Sequence, residues 1–423
     1  MTPPLTRNQI RGFWAAWGGW TLDGMDSFLY ALVLAPALKD LLPKSGWPSD
    51  TAHIGFYGGM LFAVFLVGWG FASLWGPLAD RIGRVRTLVL TILCYSLFTF
   101  LCALAQNIWQ LAAFRFVAGA GIGGEWTLGG VFVAEEWPES RRAQGAAWMH
   151  TGYYVGIFLA ALVNYTVGAR WGWRAVFAVG GTPALLVALI RYGVHEPARW
   201  GSRAGGPDRW SATDAFFELF KPQYRRRTIV NAALVLVSMV GLWAGSAYVP
   251  SSVTALAVRA GMSDDDAART ASYATMLLSI GTILGCLALP ALARSSRRRA
   301  LAVFFLLMAA SIAAGFGYAF YLPQHALPVF LICLFFLGVG GANFSVYTLW
   351  LPEQYPTRCR ASAFAFATSC GRFVAAGVTF LVGWAVARMH TIGAPVAMTS
   401  AAFLLGLCLL PSAHETAGKD LPE

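Results

Sequence analysis

The chain has 423 residues, of which 57% are hydrophobic and only 12% charged, about half the charged share of an ordinary soluble domain. A soluble protein of this length cannot bury so much apolar surface, so the composition excludes a soluble domain and indicates membrane helices. The net charge of +11 does not indicate nucleic-acid binding, because the 31 Lys and Arg occur in short runs between apolar stretches.

Twelve stretches of the chain approach the length of about 20 apolar residues that crosses a bilayer. The first follows Arg7 and Arg11, carries two Asp and has no small-residue cleavage site after it, so it is a first span rather than a signal peptide. The pattern predicts an all-α polytopic membrane protein. The predicted limits are 12–37, 53–76, 86–106, 109–134, 143–168, 174–193, 228–256, 270–292, 300–321, 327–351, 361–386 and 393–411.

The distribution of Lys and Arg predicts the orientation of these spans. With the N-terminus inside, the inner segments and both tails hold 22 of these residues, the outer loops hold seven, and Arg115 and Arg372 lie within spans. Because cytoplasmic loops carry the excess of positive charge, both termini are expected to be cytoplasmic. We expect a multi-pass protein of the plasma membrane, which is the inner membrane in a bacterium.

The two halves of the chain repeat in sequence. The pattern Glu-x2-Pro-x3-Arg occurs at Glu135–Arg142 and again, 218 residues later, at Glu353–Arg360. Just upstream, GIGGEW at 121–126 has its counterpart in GVGGAN at 338–343. This repeat predicts a duplicated bundle with pseudo-symmetric halves.

The longest connection between spans divides the chain into predicted domains. It is polar and basic, and includes the stretches GSRAGGPDRW and KPQYRRR. We therefore predict an N-terminal six-helix bundle at 1–193, a cytoplasmic linker at 194–227, and a C-terminal six-helix bundle with a short cytoplasmic tail at 228–423.

The loop between the second and third spans, GPLADRIGRVRTL at 76–88, resembles the signature loop of the major facilitator superfamily. The resemblance implies the major facilitator fold and a conformational latch on the cytoplasmic face, where an acid caps a helix end and arginines meet carboxylates. The candidate latch residues are Gly76, Asp80, Arg81, Gly83, Arg84, Glu135, Arg142, Glu353 and Arg360.

Further segments narrow the resemblance. LDGMD at 22–26, RFVAGAGIGGEW at 115–126, HEPARW at 195–200 and LPEQYPTRCR at 351–360 are together similar to the sialate and monocarboxylate proton symporters, with the aromatic-acid proton symporters close behind. This resemblance implies proton-coupled uptake of a small organic anion.

Ionisable residues well inside spans are the strongest functional signal, because each costs on the order of 3 kcal/mol at the bilayer centre. Such residues are rare, face the protein interior and mark ion or substrate pathways. The candidates are Asp23, Asp26, Arg115, Glu125, His150 and Arg372.

Asp23 and Asp26 lie three residues apart on nearly one helical face, where two carboxylates do not both ionise easily. Arg115 is the cation expected to form an ion pair with them. Its position resembles that of the Arg paired with the first-helix Asp in proton-linked sugar porters. Protonation of Asp26 would release this pair and couple proton binding to a conformational change. The alternative is a static ion network that only holds two helices together.

Glu125 and His150 are further proton-coupling candidates. Glu125 follows three glycines of its span, and small residues of this kind let helices pack closely. It therefore either lines the proton path or bonds a neighbouring helix. His150 either takes a proton or is a hydrogen-bonded core residue.

The predicted substrate site centres on Arg372, whose guanidinium suits a carboxylate through two parallel hydrogen bonds. The alternative pairs Arg372 with a helix-end carbonyl or an acid of another helix. The other substrate-binding candidates are Asn343, Tyr347, Tyr153, Tyr154 and Arg115.

The chain lacks the motifs of other functional classes. There is no paired catalytic motif, no Walker loop and no metal-like spacing among the seven cysteines, so we expect no enzyme, no metal site and no cofactor. The predicted function is a proton-coupled symporter that imports a small organic anion by alternating access. Its partners are that anion, protons and the lipid bilayer, with no nucleic acid, and we expect a monomer. The alternatives are a proton-coupled sugar or polyol symporter and a drug/proton antiporter.

Overall fold

A computed structural model describes residues 5–182, 195–196, 212–246 and 248–422. Residues 197–211 of the predicted linker and the second half of the sixth predicted span lie outside these residues. The described part is helical throughout its long elements and contains no strand, which confirms the all-α fold class.

The chain forms two compact units. Unit 1 comprises Met1–Tyr224, Leu351–Ser369 and Leu421–Glu423, and unit 2 comprises Arg225–Trp350 and Cys370–Asp420. The first turns of the eleventh predicted span thus group with unit 1. The predicted domain limits stay a prediction.

Side-chain caps start three of the helices in the first half of the chain, the first, the second and the one that carries Arg115. Thr6 and Gln9 form a capping box at the start of the first helix, and Asn107 caps the helix that carries Arg115. The described helices are α1 (Arg7–Lys44), α2 (Thr51–Gly70), α3 (Trp75–Ile82), α4 (Arg84–Cys102), α5 (Ile108–Glu136), α6 (Glu139–Val163), α7 (Ala169–Gly180) and α8 (Ala212–Glu218).

The later helices follow the remaining predicted spans. The tenth span is divided at Ala342 and the twelfth at Thr399, each into two helices, and the seventh is described as two helices on either side of residue 247. The described helices are α9 (Pro222–Ser246), α10 (Val249–Arg259), α11 (Asp264–Leu292), α12 (Arg297–Gly317), α13 (Ala326–Gly341), α14 (Asn343–Trp350), α15 (Arg360–Met389), α16 (Gly393–Met398) and α17 (Ser400–Leu409).

Nine helical segments within the described residues are long and apolar enough to cross a membrane. They coincide with the predicted spans other than the first, sixth and seventh, which are helical where they are described.

In unit 1, α5 is the central helix and packs against α1, α2 and α4. Its glycines allow this close approach, since a Cβ at Gly121 would lie 2.7 Å from the backbone nitrogen of Tyr95 on α4. The helix is therefore buried over most of its length, and its polar side chains face other helices instead of lipid. In unit 2, α11 and α12 both pack on α13.

Candidate functional site

A buried ion pair joins α1 and α5 inside unit 1. Arg115 Nη1 lies 3.3 Å from Asp26 Oδ2, and both side chains are fully buried. Thr99 on α4 donates a 2.7 Å hydrogen bond to Asp26 Oδ1. The structure thus connects three helices of unit 1 through one carboxylate.

Aromatic faces complete the surroundings of Arg115. Its guanidinium carbon lies 4.6 Å from the ring centroid of Tyr30 and 4.2 Å from that of Phe65, both within the range of cation–π attraction. The Nε and Nη2 groups make no hydrogen bond within the described part of the chain. Arg115 therefore holds Asp26 with one nitrogen and keeps donors for a second acceptor.

Asp23 lies one turn before Asp26 and is also fully buried. Its Oδ1 accepts a 3.4 Å hydrogen bond from Ser27 on the same helix. The two acids of α1 thus differ in their hydrogen bonds: Ser27 of the same helix donates to Asp23, whereas Thr99 and Arg115 of other helices donate to Asp26.

Glu125 occupies a separate position on α5, where it is fully buried. Thr91 on α4 contacts Glu125 Oε1 at 2.7 Å. Its other oxygen lies against Gly19 of α1, where an added Cβ would collide with it. Glu125 therefore lies where α1, α4 and α5 meet.

Rings from α1, α5 and α6 form an aromatic cluster in unit 1, defined as Trp20, Trp126, His150, Tyr153 and Tyr154. The ring centroids of Trp20 and Tyr153 are 4.8 Å apart, and His150 lies 5.9 Å from each of the two tryptophans. The three sequence-predicted residues of α6 are thus brought together against α1 and α5.

Arg372 lies in unit 2, within the membrane-length part of α15, and is 1% exposed. Its planar guanidinium presents donors suited to a carboxylate in a low-dielectric setting. Every buried Asp and Glu that the structure describes belongs to unit 1. The buried cation of α15 and the buried acids therefore belong to different units.

Asn343 and Tyr347 are both buried in α14 of unit 2. The Tyr347 hydroxyl donates a 2.7 Å hydrogen bond to the Leu234 carbonyl on α9, and Ser238 Oγ lies 2.8 Å from it. Asn343 Nδ2 donates to the Gly340 carbonyl, and its Oδ1 makes no hydrogen bond within the described residues. Tyr347 thus links α14 to α9, whereas the side-chain oxygen of Asn343 is available to accept a hydrogen bond from a ligand.

The candidate latch residues converge within unit 1 on Glu135. Arg84 donates to both carboxylate oxygens of Glu135, at 3.1 Å and 3.0 Å, and Arg360 Nη1 donates to Oε1 at 2.7 Å. Arg84 Nη2 also donates to the Thr357 carbonyl. A fully buried carboxylate is thereby held between two buried cations.

Asp80 caps the N-terminus of α15. Its carboxylate accepts hydrogen bonds from the backbone N–H groups of Ala361 and Ser362 at 3.3 Å and 2.9 Å, and one from the Ser362 hydroxyl. Arg84 lies 3.2 Å from the same carboxylate. Gly76 permits this approach, because a Cβ there would lie 2.6 Å from the Ala361 carbonyl oxygen.

The remaining latch candidates have different positions. Arg142 Nη1 lies 3.6 Å from Glu353 Oε1 and forms a second buried pair in unit 1. Gly83 adopts φ 112°, a conformation that favours glycine, where α3 turns into α4. Arg81 is exposed.

Two acids that sequence reasoning did not single out cap corresponding helices in the two units. Glu196 accepts backbone N–H bonds from the first turn of α4, the shortest at 2.7 Å from Arg84. Glu415 does the same at the start of α12, at 3.0 Å from Arg297. A sequence signal existed, because each acid follows a His after the last span of its half, 219 positions apart (415 minus 196).

The cap on α12 predicts a pH dependence of stability. Burial raises the pKa of Glu415, but hydrogen bonds from Ser296 and nearby backbone N–H groups outweigh it and lower the pKa from 4.5 to about 2. A lowered folded pKa stabilises above about pH 4.5, and this contribution is lost as pH falls towards 2. Glu415→Gln is expected to lower the melting temperature of the purified protein near pH 6, with the difference shrinking through that window. Asp420→Asn in the same segment serves as control, and a pH-independent difference would contradict the cap.

Comparison with known proteins agrees with the fold and with the transport class. Residues 17–378 match the model of the family described as Major Facilitator Superfamily. The "Probable 4-methylmuconolactone transporter" of Cupriavidus pinatubonensis is 28% identical over 429 residues, which covers 98% of this chain and 93% of that protein. The "Niacin transporter NiaP" of Acinetobacter baylyi is 29% identical over 430 residues, covering 94% and 88% of the two chains.

The fold is shared with a solved transporter. The structure of the proton:xylose symporter XylE bound to 6-bromo-6-deoxy-D-glucose superposes with a TM-score of 0.81 at 19% identity, and covers 98% of each chain. At that identity the likeness shows the fold alone, and confirms the major facilitator architecture.

Proposed function

The chain belongs to the Major Facilitator Superfamily and is a membrane transporter, and we propose that it is a proton-coupled symporter importing a small organic anion by alternating access. The observation that carries this proposal is the fully buried Asp26–Arg115 pair of unit 1. A protonated Asp26 no longer attracts Arg115 as an ion, so proton binding changes the internal charge balance of unit 1. That difference between two protonation states is what a coupled conformational change requires.

The organic-anion part of the proposal is supported by Arg372 and by the relatives. A buried guanidinium in a membrane-length helix binds a carboxylate well, because planar bidentate hydrogen bonds and charge attraction act together at low dielectric. The relatives are named for transport of 4-methylmuconolactone and niacin, both small organic compounds. Within unit 1, the Arg115 donors that do not contact Asp26 are also able to bind an anion.

The proposal includes orientation and assembly. The excess of Lys and Arg in alternate connections supports cytoplasmic termini in a bacterial inner membrane. We propose that the monomer is the working unit and that the proton, with no other cofactor, supplies the coupling.

Uptake into proteoliposomes tests the function directly. Labelled organic acids, with a sugar and a polyol as comparison substrates, are presented with and without an inward proton gradient. Accumulation of an acid above its equilibrium level only with the gradient supports the proposal. Accumulation of the sugar alone, or of no acid, contradicts it.

Arg372→Ala is expected to weaken binding of the transported carboxylate by about 10- to 100-fold, the range of a lost charge-assisted hydrogen-bond pair. Binding of an uncharged amide analogue should change little, because the guanidinium attracts it far less. Both affinities are measurable by counterflow inhibition. Arg388→Ala, at the exposed end of the same helix, is the matched control, and equal losses for acid and amide would remove Arg372 as the anion site.

A further inference from the structure

Glu125 is a buried carboxyl group that the Asp26–Arg115 pair does not use. It is 0% exposed, lies at the middle of a helix long enough to cross the membrane, and forms no ion pair within the described part of the chain. An ionised carboxylate in such a place requires a cation or several donors to offset the loss of its hydration. Glu125 has one polar contact, at Oε1 with Thr91, and its Oε2 makes no hydrogen bond within the described residues.

The Thr91 hydroxyl lies between Glu125 and a backbone carbonyl oxygen. Thr91 Oγ1 lies 2.8 Å from the Leu88 carbonyl oxygen and 2.7 Å from Glu125 Oε1. A hydroxyl carries one hydrogen and so donates to one oxygen at a time. Two full-strength hydrogen bonds therefore fit an arrangement in which Thr91 donates to the carbonyl and a protonated Glu125 donates to Thr91, whereas an ionised Glu125 has to share the one Thr91 hydrogen with the carbonyl.

The charges around Glu125 do not replace that proton. Tyr95 on α4 is within electrostatic range of Glu125, Asp23 and Asp26, which are all acids and supply no cation. On α5 itself the nearest charged residues are ten positions away on each side, about 15 Å along the helix axis. The titratable and charged groups in the membrane-spanning part of the helices around it include Asp23 and Asp26 on α1, Tyr95 on α4, His150 on α6 and Arg115 on α5, while Glu135 lies at the end of α5.

We propose that Glu125 is a second proton-carrying group, independent of Asp26, so that import of a singly charged anion moves net positive charge inward. In the transport cycle the O–H bond of the Glu125 acid breaks towards the inside, water there takes the proton, and the carboxylate regains a proton from outside. With one proton on Asp26 and one on Glu125, a monoanion enters with a net charge of plus one. This inference rests on the proposed proton-coupled function.

Charge movement distinguishes two protons from one. A single proton with a monoanion is electroneutral, so membrane voltage does not change its accumulation. One net charge changes the equilibrium accumulation ratio by about 50-fold for each 100 mV. The voltage dependence of substrate accumulation therefore shows whether a second proton is transported, whichever residue carries it.

The experiment measures uptake of the transported acid into proteoliposomes with a pH gradient and an imposed potassium diffusion potential varied independently. For the native chain, an inside-negative potential should raise accumulation at constant pH gradient. Glu125→Gln, which keeps size and hydrogen bonding but carries no proton, should retain accumulation by the pH gradient and lose the voltage dependence. Glu139→Gln, an exposed acid of unit 1, is the matched control.

The outcomes separate this inference from the proposed function. If no acid accumulates with any gradient, the proposed function fails. If the native chain accumulates acid with the pH gradient but shows no voltage dependence, or if Glu125→Gln keeps that dependence, the second proton site is overturned while the symporter stands. Should Glu125→Gln not fold, the proton-to-substrate ratio of the native chain from its reversal potential decides, since a ratio of one overturns the inference.

Discussion

Asp26→Asn is expected to abolish accumulation of substrate by a proton gradient while exchange of substrate across the membrane continues. Asn keeps the shape of the Asp side chain and an acceptor for Thr99, but takes no proton in the working pH range. The net charge of residues 26 and 115 together would then be the same at every proton concentration in that range. The link between proton binding and the state of unit 1 is lost, whereas Arg372, the proposed anion-binding residue of unit 2, is unchanged.

The measurement compares two assays on the same proteoliposomes. Accumulation under an inward proton gradient should fall to the equilibrium level, and counterflow of labelled against unlabelled substrate should persist. Asp40→Asn is the matched control, because Asp40 lies on the same helix but pairs at the surface with Lys44 and Arg174. Undiminished gradient-driven accumulation by Asp26→Asn would remove Asp26 as the coupling acid.

Glu135→Gln is expected to produce the largest loss of stability among single changes in unit 1. The carboxylate is bonded to Arg84 and Arg360, and all three side chains are buried. Removing its charge leaves two buried guanidinium groups without their shared anion, which costs about 3 to 5 kcal/mol in measured cases. The melting temperature in detergent should fall strongly.

The adjacent Glu136→Gln is the control, because Glu136 lies at the partly exposed end of α5, where it accepts a hydrogen bond from Asn8. A second change sharpens the result. Adding Arg360→Met to Glu135→Gln removes one uncompensated cation and should restore part of the stability. If the two substitutions acted independently, their losses of stability would add instead. Equal melting temperatures for Glu135→Gln and Glu136→Gln would contradict the network.

The sequence predicted the class of fold because the signal is summed over about 20 residues per span. Helices occur at every predicted span that is described, and the family comparison confirms the fold. The ends of helices were less predictable. The first helix extends from Arg7 to Lys44, beyond the predicted 12–37, because Thr6 caps its start and buried Leu38, Leu41 and Leu42 continue its packed face past residue 37.

The candidate site could be predicted in part. Asp26 and Arg115 stood out because an ionisable residue inside an apolar span is costly wherever it lies along the helix. Their contact could not be read from spacing, since they are 89 positions apart and meet only when α1 packs on α5. Tyr30 and Phe65, whose rings flank Arg115, carried no sequence signal that distinguished them from the other aromatic residues.

The sequence by itself determined that this protein is a helical membrane protein with rare charges in its spans, because composition and periodicity are properties of residues along the chain. Its loop motifs and the family match add the transporter class. Only the tertiary structure decided which acid bonds which cation. It placed Asp26 on Arg115, Glu135 between Arg84 and Arg360, and Glu125 on the hydroxyl of Thr91. The physical reason is range, since a hydrogen bond forms only within about 3 Å, and helix packing alone brings residues so distant in sequence to that separation.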